Sequence, residues 1–433
     1  MTPSARLSAA IDILADIIAR RRPAGDAIKD WGLSHRFAGS GDRAALSGLI
    51  FDTLRRRASC AYVMGSEEPR ALLLGMLATV RGLDVDAIAK LCDGARFAPA
   101  PLSEDERTRL ASPSLEGAAP WVRGDYPQWL DGELKAMFGE ERVAEAEALA
   151  ARAPVDMRVN TLKAKPDEAL AELAHLNPEP GQWSPLALRI PLGADGKQPP
   201  ITSEPAFVKG GVEVQDEGSQ IAAILAAPVP GSQVLDLCAG AGGKTLELAA
   251  LMDNKGQLYA HDSDVRRLKP IHERLQRAGV RNVQIRAPRG AADVLSDLEG
   301  HMDLVLVDAP CTGTGTWRRN PDAKWRVRPG ALAERTAEQA KILEQAVRYV
   351  KPGGRLAYVT CSLLNSENAG QIRALLEKHP DFSVVPSTEA VLALGSRGLA
   401  LRQAALDLPE GLMLTPRRTG TDGFFISVLK RAG

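Results

Sequence analysis

The run DLVLVDAPCTGTGTWRRNPDAKWRVR, residues 303–328, decides how this chain folds. It begins with an apolar, β-branched run between two aspartates, the composition of a strand buried on both faces, and continues into a polar turn. A second stretch, AYVTCSLLNSEN at 357–368, has the same plan. Each strand therefore delivers a cysteine, Cys311 or Cys361, at its carboxyl end, where parallel sheets gather reactive groups.

Working outward, strands alternate with helical patterns from about residue 217. QVLDL is followed by a helix from 244, QLYAHD by a helix over 264–277, then come VQIR, DLVLVD, a helix over 331–349 and GRLAYVT. Such alternation predicts βαβ units and a doubly wound, mostly parallel α/β sheet. KPGG at 351–354 supplies a turn before the last of these strands. DFSVVP (381–386) and GFFISVLK (423–430) extend the sheet, the latter as an edge pair.

The front of the chain is helical. Leu7, Ile11, Leu14 and Ile18 form one apolar stripe, and Leu46, Ile50, Phe51 and Leu54, then Leu73, Met76, Leu77 and Val80, repeat it. Two arginine triplets, 20–22 and 55–57, fall near helix ends. Solvated termini that complement the helix dipole and RNA-phosphate patches account for them equally. Residues 98–120 turn to Ala, Pro, Ser and Glu and read as a linker. Beyond it a helix opens at 126–130, VDMRVNTLK (155–163) alternates as a strand, and a helix over 166–175 with LALRIPL and GVEVQ completes a small α+β, substrate-positioning segment. The expected division is 1–118 helical with linker, 119–200 small α+β, and 201–433 catalytic.

Composition sets bounds. Lys+Arg and Asp+Glu both number 54, so an RNA partner has to be held by local basic patches. Aromatics at 4% argue against a broad base-stacking platform. No run of eighteen apolar residues and no signal-peptide layout occur, so a cytoplasmic protein off the membrane is expected. Five cysteines without CxxC spacing point to reduced thiols rather than disulfides or a metal site.

After QVLDL the sequence reads CAGAGGKT (238–245), a glycine-rich turn opening a helix. Glycine lets a ligand approach the backbone, and the helix start offers unpaired N–H groups. Asp262, ending the next strand, suits a ribose diol, and Asp236, before the glycines, suits an ammonium. The spacing is neither GxGxxG nor a P-loop. S-adenosylmethionine fits this set. Asp308, Cys311 and Cys361 then share the cofactor's crevice. A thiolate that adds to carbon 6 of a pyrimidine makes carbon 5 nucleophilic toward a sulfonium methyl group. Asp308 can hydrogen-bond the N3/N4 edge of cytosine, and Arg318, Lys324 and Arg326 favour thiolate and phosphate. Cys60, Cys92 and Cys238 read as small buried hydrophobes.

At these residues the chain resembles the RsmB/Sun group of the RNA 5-cytosine methyltransferases. The carriers are VLDLCAGAGGKT (234–245), DAPCTGTGTWRRNPDAKW (308–325) and TCSLLNSEN (360–368), with MRVNTLK (157–163) and VEVQDEGSQ (212–220) upstream. The front end, with DRAALSGLIFDTLRRR (42–57), is similar to a NusB-like RNA-binding domain. The resemblance implies a Rossmann-like class I methyltransferase domain acting on RNA, with 16S ribosomal RNA as target. It makes Cys361 the nucleophile and gives Cys311 the breakdown of the adduct and product release. Cofactor contacts are implied from Cys238, Ala239, Gly240, Ala241, Gly242, Gly243, Lys244, Asp262 and Asp308. The chain departs from the family where a Gly-Asp pair follows the third strand. IRAPRG (285–290) has no acid, so either Asp293 substitutes or the cofactor is held more weakly. A proline usual before the paired glycines is also missing. A monomer is expected. The competing functions are tRNA cytosine-5 methylation and an RNA-binding assembly factor with a weak or inactive methyltransferase domain.

Overall fold

In the computed structural model, which describes residues 1–193, 199–290 and 292–433, the chain separates into two units. One comprises Met1–Ala151 with Trp317–Pro329, the other Arg152–Thr316 with Gly330–Gly433. The segment expected over 119–200 includes residues 194–198, which lie outside the described residues.

The first unit is helical. Helices Pro3–Arg20, Ser40–Arg55 and Pro69–Thr79 bury Leu7, Leu14, Leu46, Ile50, Leu54, Leu73, Met76 and Leu77 of the predicted stripes, while Ile11, Ile18 and Phe51 are half-buried and Val80, just past its helix, is exposed. Residues 98–120 differ from the linker expectation. Helix Glu104–Ala111 starts at a Ser103/Glu106 capping box. Leu102 and Leu110 are buried in the helical core, and Glu106 pairs with Arg70 at 2.7 Å. Two well-placed leucines and a cap anchor a segment too polar to announce itself by composition.

The second unit holds two sheets. The smaller has the order β2-β3-β1-β4, all antiparallel, from β1 (Val155–Val159), β2 (Glu179–Pro180), β3 (Ala187–Ile190) and β4 (Val212–Val214). Every residue of β1 is buried, its charged positions included. Asp156 accepts from Arg189 at 2.6 Å and Arg158 donates to Gln215 at 2.7 Å. Asn160, just past β1, donates to both Gly210 O and Ala278 O at 2.8 Å, which ties the small sheet to the large one within this unit.

The larger sheet has nine strands. Its elements are β5 (Gln233–Asp236), β6 (Gln257–Ala260), β7 (Val283–Ile285), β8 (Met302–Asp308), β9 (Val350–Thr360), β10 (Phe382–Val384), β11 (Leu406–Leu408), β12 (Gly411–Leu414) and β13 (Phe424–Arg431). The order is β11-β12-β13-β9-β8-β5-β6-β7, with β10 also on β13. From β9 to β7 neighbouring strands are parallel, and from β9 to β11 they are antiparallel. β13, expected at an edge, instead lies between β9 and β12. Its run from Phe424 to Leu429 is buried throughout, as an interior strand requires. KPGG opens no separate strand. It is an irregularity inside β9, where Val350 faces Met302, Gly353 takes φ 74° and pairing resumes at Arg355 opposite Leu304. Register sets Asp236 beside Leu306, Leu306 beside Ala357 and Asp308 beside Val359, so β5, β8 and β9 end together.

Candidate functional site

At that shared end two loops meet. The loop after β8 carries Cys311, the loop after β9 carries Cys361, and their sulfurs are 3.4 Å apart. Backbone bonds hold them there: Ala309 N donates to Val359 O at 2.8 Å and Gly315 N to Cys361 O at 2.9 Å. Gly315 also permits close approach of the chain before β13, since a Cβ there would lie 2.1 Å from Gly423 O.

Sequence reasoning missed the residue that joins the loops, Glu367. It is fully buried on the turn after β9. Its carboxylate accepts from Thr312 N at 2.8 Å, Thr312 Oγ1 at 2.5 Å, Gln339 Nε2 at 3.1 Å and Ser362 Oγ at 2.5 Å. Thr312 follows Cys311 and Ser362 follows Cys361, so one carboxylate fixes the flank of each thiol. The one available signal was a lone acid three residues after the apolar pair in LLNSEN. Nothing in its spacing identifies partners some fifty residues upstream.

The two thiols differ electrically. The Cys361 sulfur beside it, reinforced by burial, holds the Cys311 thiol well above the usual cysteine range. Cys311 therefore stays protonated, able to donate its S–H to Cys361. Burial does the same to Cys238, and it lifts Cys60 to about 12.

The glycine-rich turn lies at the end of β5. Gly240 (φ 52°) and Gly242 (φ 86°) take left-handed backbone that other residues resist. Gly240 N donates to Asp262 Oδ2 at 3.0 Å, and Arg267 pairs with the same oxygen at 3.1 Å. Gly243 opens helix Gly243–Leu251, and a Cβ built on it meets nothing within 4 Å, which leaves open space at the helix start. Buried Asp236 accepts from Thr245 Oγ1 at 2.7 Å, while its Oδ1 has no partner. An open, donor-lined helix start, two glycine elbows and an orphaned buried oxygen suit a ligand with carboxylate, ammonium and ribose groups. Lys244 is directed elsewhere: its ammonium donates to Asp308 Oδ2 at 2.7 Å and lies 5.3 Å from the Phe424 ring centroid. Asp293 is exposed, and one of its oxygens accepts from Leu295 N at 3.0 Å.

Arg318, Lys324 and Arg326, which the sequence grouped with the thiols, belong to the helical unit. Lys324 is buried there, donating to Arg55 O and Asp125 O, both at 2.7 Å, and burial pulls its ammonium down to about 7. Arg326 pairs with Asp322 at 3.1 Å. The motif's contiguity in sequence concealed this division.

Burial raises two carboxyls in the larger-sheet unit to about 7, Asp236 and Glu247. Below about pH 4 the folded and unfolded chains both hold these protons. Between about 4 and 7 the unfolded chain ionises first, so stability falls as pH rises, and above 7 the full cost remains. Asp236→Asn removes one such charge and keeps an acceptor for Thr245. Its melting temperature should exceed the wild type's by a few degrees at pH 8, converging toward pH 5. An equal shift at both pH values would show that the Asp236 charge is not the cause.

Among the described residues no helix is long and apolar enough to cross a membrane, and no group of three or more His, Cys, Asp or Glu is placed to hold a metal ion.

Comparison with known proteins bears on both sheets of the second unit. A family model described as 16S rRNA methyltransferase RsmB/F matches residues 223–430, and one described as an RsmF/B-like ferredoxin-like domain matches 126–195. Ribosomal RNA small subunit methyltransferase B of Xanthomonas campestris is 32% identical over 90% of this chain and 89% of its own. A probable ribosomal RNA small subunit methyltransferase B of Synechocystis is 33% identical over 71% of this chain and 67% of its own. Among solved structures, PH0851 covers 100% of this chain and 99% of its own at TM-score 0.73 and 28% identity. A methyltransferase homolog from Pyrococcus horikoshii covers 73% of this chain and 99% of its own at TM-score 0.59 and 27% identity.

Proposed function

The chain belongs to the RsmB/F family of 16S rRNA methyltransferases, and from that premise we propose that it methylates carbon 5 of a cytosine in small-subunit ribosomal RNA through a covalent bond from Cys361 to carbon 6. The observation that carries this reading is the pair of sulfurs 3.4 Å apart at the ends of adjacent parallel strands, beside a glycine-rich helix start. Residues 238–243 and Asp262 would hold S-adenosylmethionine, which would supply an electrophilic methyl group.

In the first half-reaction the Cys361 thiolate adds to carbon 6, and the electron pair of the 5,6 double bond moves to carbon 5, which becomes nucleophilic. Cys311, held well above the usual cysteine range by the neighbouring sulfur and by burial, stays neutral through this step. Asp308, whose Oδ2 accepts from Lys244, would accept from the amino group on carbon 4 and orient the ring. After methylation carbon 5 bears both hydrogen and methyl. A base takes that proton, its electron pair reforms the double bond, and the sulfur–carbon bond breaks, releasing Cys361 as thiolate. Cys311 assists this elimination. The target base has to leave its stack to reach the loops, which suits an unpaired or transiently opened cytosine. The helical unit is read as an RNA-binding, NusB-like module.

The test is transfer of labelled methyl groups from S-adenosylmethionine to unmodified small-subunit rRNA and, separately, to tRNA, with positions mapped by bisulfite sequencing. Label in rRNA cytosine supports the reading. Label in tRNA alone overturns the substrate, and methylation of another atom overturns the chemistry.

A further inference from the structure

The chain has six tryptophans, and three of them, Trp121, Trp129 and Trp325, line one cavity of about 670 Å³ within the helical unit. A chain too poor in aromatics for a broad stacking surface thus concentrates them at one place. The volume falls among ordinary ligand sites, ~300–1,000 Å³. Trp325 is fixed in orientation by its indole N–H, which donates to Leu54 O at 2.6 Å. The Arg57 guanidinium lies 5.4 Å from its ring centroid.

Charge accompanies the rings. Four arginines line the cavity against one carboxylate, Glu67. Two of them are committed locally, Arg57 to Glu67 at 3.0 Å and Arg326 to Asp322. The other two, Arg21 and Arg328, are exposed, and among the described residues neither has an ion-pair partner. Arg21 caps its helix at φ 49°, a left-handed conformation uncommon outside glycine. The two arginine triplets are thereby sorted. Arg20 and Arg22 pair with Asp16, Arg55 donates to Ala151 O and Arg318 O, and Arg56 pairs with Asp125, whereas Arg21 and Arg57 face the cavity.

We propose that this cavity receives one unpaired nucleotide of the RNA substrate, its base stacked on tryptophan and its flanking phosphates held by Arg21 and Arg328. Flat aromatic faces bordered by unpaired guanidiniums match sequence-tolerant stacking combined with phosphate attraction. In a chain of zero net charge this is the kind of local patch a polyanion needs. The inference rests on the RNA reading above and adds to it a subsite outside the thiol loops.

The test uses the full chain and a short labelled single-stranded oligoribonucleotide, with affinity followed by anisotropy across a salt series. Trp129→Ala should weaken binding about tenfold and Trp129→Phe should restore most of it. Arg21→Ala and Arg328→Ala should each lower the slope of log affinity against log salt by about 0.7. Duplex RNA should bind less tightly and ignore Trp129→Ala. With rRNA as substrate, Trp129→Ala should raise KM while kcat holds. Single-stranded binding unaffected by Trp129→Ala, or equal affinity for duplex and single strand, overturns the stacking subsite even if rRNA is methylated. Wild type that binds the oligonucleotide through these residues yet methylates no RNA supports the subsite and refutes the proposed function. Binding only of a protein partner at this cavity refutes the subsite.

Discussion

Cys361→Ala should abolish methyl transfer, by about 10⁴-fold or more, whereas Cys311→Ala should accumulate a protein–RNA adduct that survives a denaturing gel. The asymmetry has a physical origin. Both thiols stand at strand ends 3.4 Å apart, too close for both to ionise readily. The neighbouring sulfur and burial keep Cys311 protonated. In the proposed reaction Cys361 is the sulfur that adds to carbon 6. Without Cys361 no adduct forms, and carbon 5 stays a weak nucleophile. Without Cys311 the addition proceeds, but elimination loses its assistant and the sulfur–carbon bond persists. Cys361→Ser should be nearly as inactive as alanine, because a hydroxyl does not ionise at neutral pH. The measurement is a labelled-methyl assay beside a denaturing gel for each variant. Adduct from Cys361→Ala, with none from Cys311→Ala, would reverse the two roles.

Patterns that depend on neighbours in sequence were legible. The helical stripes, the run of parallel strands, the glycine-rich turn and the two cysteine loops each follow from periodicity or from a turn's composition. What escaped depends on partners far along the chain. An apolar run does not show how many neighbours a strand has, so β13 reads as an edge although it lies between β9 and β12. Residues 98–120 look like a linker until Leu102 and Leu110 are seen inside the helical core. Lys324 and Trp325 follow Cys311 within one contiguous motif, and contiguity implied a shared site. Yet Trp317–Pro329 packs with the helices, where an ammonium donating to two carbonyls and an indole donating to a third hold it. A motif read as one catalytic unit is thus divided between the thiol loops and the helical unit.

Glu367 makes the same point more sharply, and its replacement should have the second large effect. Glu367→Ala removes the acceptor for four donors in a fully buried setting. Stranding those donors should destabilise the unit by about 3–5 kcal/mol. That variant alone does not separate positioning from folding. Glu367→Gln does, because it keeps one acceptor oxygen and the side-chain volume while setting an NH₂ group against donors that already point inward. With its oxygen in the Oε2 place the glutamine still accepts from Thr312 Oγ1 and Ser362 Oγ, but its NH₂ then faces Thr312 N and Gln339 Nε2, so the Cys311 loop loses its backbone anchor. For Glu367→Gln we expect a melting temperature lowered by only a few degrees, KM for RNA near the wild type's and kcat reduced about 10²-fold, since a small misplacement of reacting groups costs that much. Alkylation of the two thiols should change in rate as well, a readout that a uniform loss of stability would not move. Wild-type kcat and alkylation rates in Glu367→Gln would reduce this carboxylate to a structural bond and leave the backbone contacts alone to place the thiols.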